Sequence, residues 1–350
     1  MYEVLTIREA VRKRPAMYLG NDNVVARLVT GLITDCIAAT GSAKLNVSAE
    51  LEEDRKLRMT FSGPVDLLPF SDKILSGAAG FGYANILPAI TSRLQLAHGN
   101  DTMTLLDGEA QEEWLKEKRG LSDPLELNIE LDREVYNWKV PNFSELSDRV
   151  ELCAMLNRGL EILLRDTRRK HADQRYFSFP EGVFSLYERV KENALGKPEF
   201  EIKCDGKTGS NAYQIVLGYR TDWHPPASVF SFANDVHNTG RGSLVDGVLE
   251  GLLSACRKHT KENNLSTYRI SKNKLANGLI LVCAVRGGDF KYGGSWREAL
   301  ESEEVEEQAK KLVRDAVLDF IEHNKDKAEQ FLWRFDQTRI PSAMFKNRKS

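Results

Sequence analysis

The sequence predicts an α+β protein of two domains, spanning residues 1–180 and 181–350. Its 350 residues exceed the usual size of one hydrophobic core. Both halves carry helix-period and strand-period segments, and the strands alternate across short polar turns, as antiparallel pairs do, rather than following a strand–helix–strand rhythm.

The elements follow in order. Thr6 and Glu9 stand at capping-box spacing, which predicts a short helix from Ile7 to Lys13 that stops at Pro15. Val25, Leu28, Val29, Leu32, Ile33, Cys36 and Ile37 fall on one face of a second helix, closed by Gly41. LNVSAELE and KLRMTFSG read as a hairpin across EEDRK. SGAAGFGYANILPAITSRL reads as a glycine-rich turn entering a helix, LELNIELDREVYNW as a strand and FSELSDRVELCAMLNRG as a helix. LEILLRDTRR and QRYFSF suggest a hairpin with a charged tip. The second half opens with the helix EGVFSLYERVKENA, followed by strands at FEIKCD, AYQIVLGYRT and ASVFSFANDV. A long amphipathic helix follows, with its stripe at Leu244, Val248, Leu249, Leu252 and Leu253. GLILVCAVRGG then reads as a buried strand, and one charged helix is expected from Glu303 to about Phe335.

Composition narrows the function classes. Lys and Arg number 49 against 51 Asp and Glu, a formal charge of −2, so no global field draws the chain to nucleic acid or anionic lipid. Cys36, Cys153, Cys204, Cys256 and Cys283 are far apart, with neither a CxxC nor zinc spacing, and predict no disulfide framework or metal centre. The start, MYEVLTIREA, has no apolar leader region, and the longest apolar runs are too short to span a bilayer. A cytoplasmic protein with no membrane partner is expected.

Three stretches invite chemistry, each with a plainer alternative. Gly77 to Gly82 (GAAGFG) could present backbone N–H groups to a phosphate, and equally could be a tight turn. Arg165, Arg168, Arg169, Lys170, His171 and Arg175 form a local basic cluster, whose alternative is a solvated hairpin tip. KYGGSWREAL exposes Trp296 and Arg297 after two glycines, either as a working loop or as one that packs its Trp. The histidines are scattered, and no serine sits in a GxSxG.

In order along the chain stand REAVRKRPAMYLG, GAAGFG, LNRGLEILLRDTRR, FSFANDVHNTGRGSLVDGVLEGL, NGLILVCAV and KYGGSWREAL. Together they resemble the N-terminal half of the bacterial-type gyrase B and topoisomerase IV ATPase subunits, from about Arg8 to Leu300. The resemblance implies a Bergerat-type (GHKL, Hsp90-like) α/β sandwich in residues 1–180. A transducer domain, like the second domain of ribosomal protein S5, would fill residues 181–350, with the last helix as its C-terminal helix.

Several site positions implied by the resemblance are altered. Gly31 stands where the family has a water-activating glutamate, and Asp35, one turn later, where it has a magnesium-holding asparagine. Phe61 replaces the aspartate that accepts the adenine amino group, followed by Ser62, Gly63, Pro64 and Val65. SDKIL follows almost at once, so most of the nucleotide lid is missing. The glycine loop keeps Gly77, Gly80 and Gly82 but has Ala78 and Ala79 between the first two. Ser295, Trp296 and Arg297 replace the Gln-Thr-Lys that reaches the γ-phosphate. Few residues precede the first helix where the family has an arm that wraps the other protomer, and no cleavage domain is expected after Ser350.

The resulting expectation is a pseudo-ATPase that serves as a scaffold or interaction subunit, with no cofactor, and with self-association or another protein as partner. A second reading is a divergent ATP-dependent clamp. In it Asp35 would bind magnesium, Gly77, Gly80 and Gly82 would cradle phosphates, Arg297 would sense the γ-phosphate, and another carboxylate such as Asp66 would supply the lost function. A third is a DNA-binding module using Arg168, Arg169, Lys170 and Arg175.

Overall fold

The structure is a computed structural model that describes residues 6–20, 23–76, 82–111, 123–135, 141–193, 198–220, 227–239, 242–288, 290–294 and 299–336. The chain divides into two compact units, Met1–Gly182 and Val183–Ser350.

The first unit opens with helix α1 (Ile7–Lys13), where the Thr6 hydroxyl accepts from the Glu9 amide and the Glu9 carboxylate accepts from the Thr6 amide. Pro15 does not simply end it; Pro15 is the first residue of a second short helix, α2 (Pro15–Leu19), where its missing N–H costs nothing. Gly20 then takes φ +75°, with the Arg27 guanidinium where a Cβ would point, so the closing glycine of RKRPAMYLG is required by its backbone. Helix α3 (Val24–Thr40) buries the predicted apolar face and ends at Gly41 in the left-handed conformation.

Strands β1 (Asn46–Glu53) and β2 (Lys56–Ser62) form the predicted hairpin. Next come α4 (Leu68–Ser76), α5 (Tyr83–Ile90), β3 (Thr91–His98), β4 (Asp101–Leu106), β5 (Glu109–Ala110) and β6 (Leu125–Leu131). Helix α6 (Phe143–Leu156) and the hairpin β7 (Glu161–Asp166) and β8 (Asp173–Ser178) complete the unit. Among the described residues these strands make one eight-stranded sheet, ordered β5-β4-β3-β6-β2-β1-β7-β8, antiparallel except for the β1–β7 pair. Alternate residues such as Val47, Ala49 and Leu51 join the helices in a single core, in which each fully buried Val or Leu side chain contributes about 1.5–3 kcal/mol.

Two expectations are corrected here. The strand read as LELNIELDREVYNW ends at Leu131, where Asp132 turns the chain by accepting from the Glu134 amide; residues 136–140 lie outside the described residues. The segment entered by the glycine turn is helical only to Ile90, and TSRL belongs to β3. Helix α4 and strands β3 and β4 are additions to the elements that the sequence pattern predicts.

The second unit holds α7 (Val183–Glu192), β9 (Pro198–Thr208), β10 (Asn211–Arg220), β11 (Ser228–Ala233), β12 (Val236–Asn238) and α8 (Ser243–Glu262). It continues with α9 (Lys272–Ala276), β13 (Leu279–Arg286), the small pair β14 (Tyr292–Gly293) and β15 (Ala299–Leu300), α10 (Glu303–His323) and α11 (Lys325–Trp333). Among the described residues the main sheet runs β12-β11-β13-β10-β9. Residues 281–283 and 285 of β13 are fully buried, as the apolar run predicts. Gly247 and Gly251 on α8 admit the backbone of α10: a Cβ at Gly251 would lie 2.5 Å from the Lys310 carbonyl oxygen.

The expected single terminal helix is interrupted. Asn324 leaves helical geometry, and both its amide and its side-chain Nδ2 donate to the Phe320 carbonyl, at 2.9 and 3.1 Å. A side chain that competes locally for the last carbonyls ends α10, and α11 starts afresh to bury Ala328, Phe331 and Leu332.

Candidate functional site

In the first unit, Gly31, Asp35 and Gly82, three of the positions singled out by the resemblance, meet where α3, α4 and the start of α5 come together. Gly31 and Asp35 lie one turn apart on α3. The ring of Tyr83, the first residue of α5, covers Gly31: a Cβ built there would fall within the ring, 2.5 Å from Cγ and 2.6 Å from Cε2. No side chain fits at residue 31 unless Tyr83 moves. Tyr83 is itself mostly buried, and its phenol is pushed up by that burial, against the opposing charges of Arg27 and Arg149.

Asp35 has both carboxylate oxygens engaged. Oδ1 accepts from Lys73 Nζ of α4 at 3.0 Å, and Oδ2 accepts from the Ala84 amide in the first turn of α5 at 2.8 Å. The side chains of Asp35 and Lys73 are 14% and 30% exposed, so the pair is sheltered but not sealed. Gly82, the residue before α5, lies against this carboxylate; a Cβ there would sit 2.8 Å from each Asp35 oxygen. Gly77, Gly80 and Arg297 lie outside the described residues, as do Ala78, Ala79, Ser295 and Trp296.

The position implied for adenine recognition is apolar. Phe61 is fully buried and packs edge-on against Phe70 of α4, with ring centroids 5.1 Å apart. It is a core residue with no polar atom to offer a base. Asp66 accepts from the Leu68 amide at 2.9 Å and starts α4.

A bound magnesium–nucleotide fits this arrangement poorly. The one carboxylate on the relevant face of α3 already holds an ammonium ion at contact distance, and residue 31 supplies no base. Among the described residues no group of three or more His, Cys, Asp or Glu side chains is placed to hold a metal ion.

In the basic cluster Arg165, Arg169, Lys170, His171 and Arg175 are exposed on the β7–β8 hairpin, while Arg168 is tied into internal contacts. The Arg168 guanidinium makes two contacts to Asp166, 2.7 and 2.8 Å long, and reaches Asp54 at 3.3 Å and the Pro141 carbonyl at 2.9 Å. Arg168 hydrogen bonds hold the Asp166 carboxyl below the usual carboxylate range. Arg175 donates to Ser147 at 2.9 Å and lies over the Phe143 ring. Arg169 and Lys170 remain exposed. All five cysteines are buried and free, and burial pushes the Cys204, Cys256 and Cys283 thiols up to about 12.

Sequence reasoning reached Gly31, Asp35, Gly82 and Phe61 but missed Lys73 and Tyr83. In the sequence SDKIL stands out only for its closeness to the preceding turn. An aromatic residue soon after a glycine turn was the one available signal for Tyr83, and nothing local tied it to Gly31 on α3.

An eight-stranded sheet carrying helices, followed by a five-stranded unit with a long helix pair, defines the class: a GHKL-type unit followed by a transducer-type unit. Within that class the chain is similar to DNA gyrase B and topoisomerase IV proteins. The DNA gyrase B family model matches residues 185–339, within the second unit. The DNA gyrase B chain of Streptococcus pneumoniae serotype 4 is 23% identical over 94% of this chain. The chain spans 56% of the length of that relative. The 43K ATPase domain of Thermus thermophilus gyrase B superposes with a TM-score of 0.77 at 19% identity, covering 96% of both chains. The topoisomerase IV ATP-binding domain of Francisella tularensis gives 0.77 at 20%, covering 96% of this chain and 99% of that one. The fold is therefore that of the gyrase B ATPase region, as the sequence motifs implied.

Proposed function

We propose that this gyrase-B-like chain is a pseudo-ATPase, acting as a non-catalytic scaffold or interaction subunit. The observation that carries the reading is the Tyr83 ring over Gly31, which fills the place where a general base would have to stand. Loss of one general base commonly costs a factor of about 10²–10⁴ in rate. Here the adenine-side polar residue is replaced by the buried Phe61 as well, so base recognition and water activation fail together.

The gyrase relatives carry the word subunit in their names, which supports a protein partner or a second copy of this chain as what the fold is kept for. The DNA-binding reading is weakened by Arg168, whose guanidinium is engaged by Asp166 and the Pro141 carbonyl.

The test is isothermal titration of the purified chain with a nonhydrolysable ATP analogue and magnesium, beside a melting curve. No heat and no shift in melting temperature are expected; micromolar binding would overturn the reading. Light scattering and a pull-down then examine the partner, and a chain that stays monomeric and captures nothing would remove the scaffold role.

A further inference from the structure

We propose that the Lys73–Asp35 pair is a built-in substitute for a bound cation and its anion, joining α3, α4 and the start of α5 in the protein with no ligand. This rests on the pseudo-ATPase reading and says what took over the site. The start of a helix attracts an anion, because its first N–H groups have no partner within the helix. Here the anion is Asp35, whose Oδ2 accepts from the Ala84 amide at 2.8 Å. The cation that would balance it is Lys73, at 3.0 Å from Oδ1. Each oxygen is used once, and the two contacts reach two different helices.

Two glycines make room for the arrangement. A Cβ at Gly82 would press on both carboxylate oxygens, at 2.8 Å each, and one at Gly31 would displace Tyr83, the residue next to Ala84. A polyphosphate approaching the start of α5 meets a carboxylate already seated there, and like charges at that range repel. The first unit therefore needs no nucleotide to hold α5 against α3, and a partner that docks on it finds the same surface with or without ATP.

The experiment titrates pyrophosphate, without magnesium, into the full chain and into Asp35→Ala and Lys73→Met. Removing Asp35 leaves the Ala84 amide and the Lys73 ammonium both facing the vacated place. Asp35→Ala is expected to bind pyrophosphate at least roughly tenfold more tightly than the unmodified chain, while Lys73→Met gains nothing. A folded Asp35→Ala, judged by near-ultraviolet circular dichroism, that binds no more tightly than the unmodified chain overturns the proposal.

Should Asp35→Ala fail to fold, hydrogen exchange at the Ala84 amide in Lys73→Met decides. Exchange roughly tenfold faster supports the substitute pair, and an unchanged rate refutes it. Failure here is separable from failure of the wider reading. Magnesium–ATP binding by the unmodified chain would end the pseudo-ATPase reading, whereas silence from both it and Asp35→Ala would end only the ion-pair proposal.

Discussion

Glycines open space in both units, but for different occupants. In the second unit Gly247 and Gly251 let two helices approach until the α10 backbone lies against α8, so the glycines serve the transducer-type fold itself. In the first unit Gly31 makes room for a single side chain, the Tyr83 ring, at a position where the resemblance implies catalysis. The family model follows the same division, since it matches 185–339 and thus the unit whose glycines serve packing. The difference teaches that the same residue type can serve helix packing in one unit and, in the other, seat a single side chain at a position where the resemblance implies catalysis.

The largest expected effect lies in the second unit. Gly251→Leu would put a Cβ 2.5 Å from the Lys310 oxygen and 3.0 Å from Val313 Cβ, with no flexible group to give way. Forcing α8 and α10 apart should cost about 3 kcal/mol or more, read by chemical denaturation. A loss under about 1 kcal/mol would mean that the helix pair tolerates separation, and the contrast between the two kinds of glycine would collapse.

A smaller cost, and one that can be rescued, is expected in the first unit. Gly31→Glu should destabilise by about 2 kcal/mol, because the new side chain competes with the Tyr83 ring. Adding Tyr83→Ala should recover at least about 1 kcal/mol of that, a non-additive double-mutant cycle. If the two costs simply add, Tyr83 is not what fills the space at residue 31. Any activity assay of Gly31→Glu alone would be confounded by this clash.

These two cases also mark how far the sequence could be read. Helix α3, the β1–β2 hairpin, α8 and β13 were legible because burial imposes a period on consecutive residues, and Val25 to Ile37 or Leu279 to Val285 display it directly. The alterations at Gly31 and Phe61 were legible because a motif fixes which residue type to expect. What replaced them was not. Tyr83 lies 52 positions from Gly31 and Lys73 lies 38 from Asp35, and such contacts leave no local period. The break at Asn324 was missed for the opposite reason: the apolar stripe resumes at Ala328 and Phe331, so the pattern ran on past a cap that depends on one side chain.

The smallest effect concerns the charged hairpin, and it separates an internal tie from a binding surface. Asp166 and Arg168 have side chains only 6% and 15% exposed, and Arg168 hydrogen bonds hold the Asp166 carboxyl low. Because the folded carboxyl binds its proton less readily than the unfolded one, the unfolded chain carries more protons in the acid range, and stability rises with pH there. The contribution is complete above the unfolded value of roughly 3.9 and is lost as pH falls through the lowered folded value. Asp166→Asn should therefore cost about 1–2 kcal/mol at pH 7, softened by the contacts that Arg168 keeps to Asp54 and Pro141. The difference from the unmodified chain should shrink as the pH is taken below about 3.9, followed by urea denaturation across roughly pH 2.5 to 7. A surface built to meet phosphates would behave otherwise: freeing Arg168 from its carboxylate would leave stability nearly untouched and tighten DNA binding at low salt. That outcome would return the hairpin to the nucleic-acid reading.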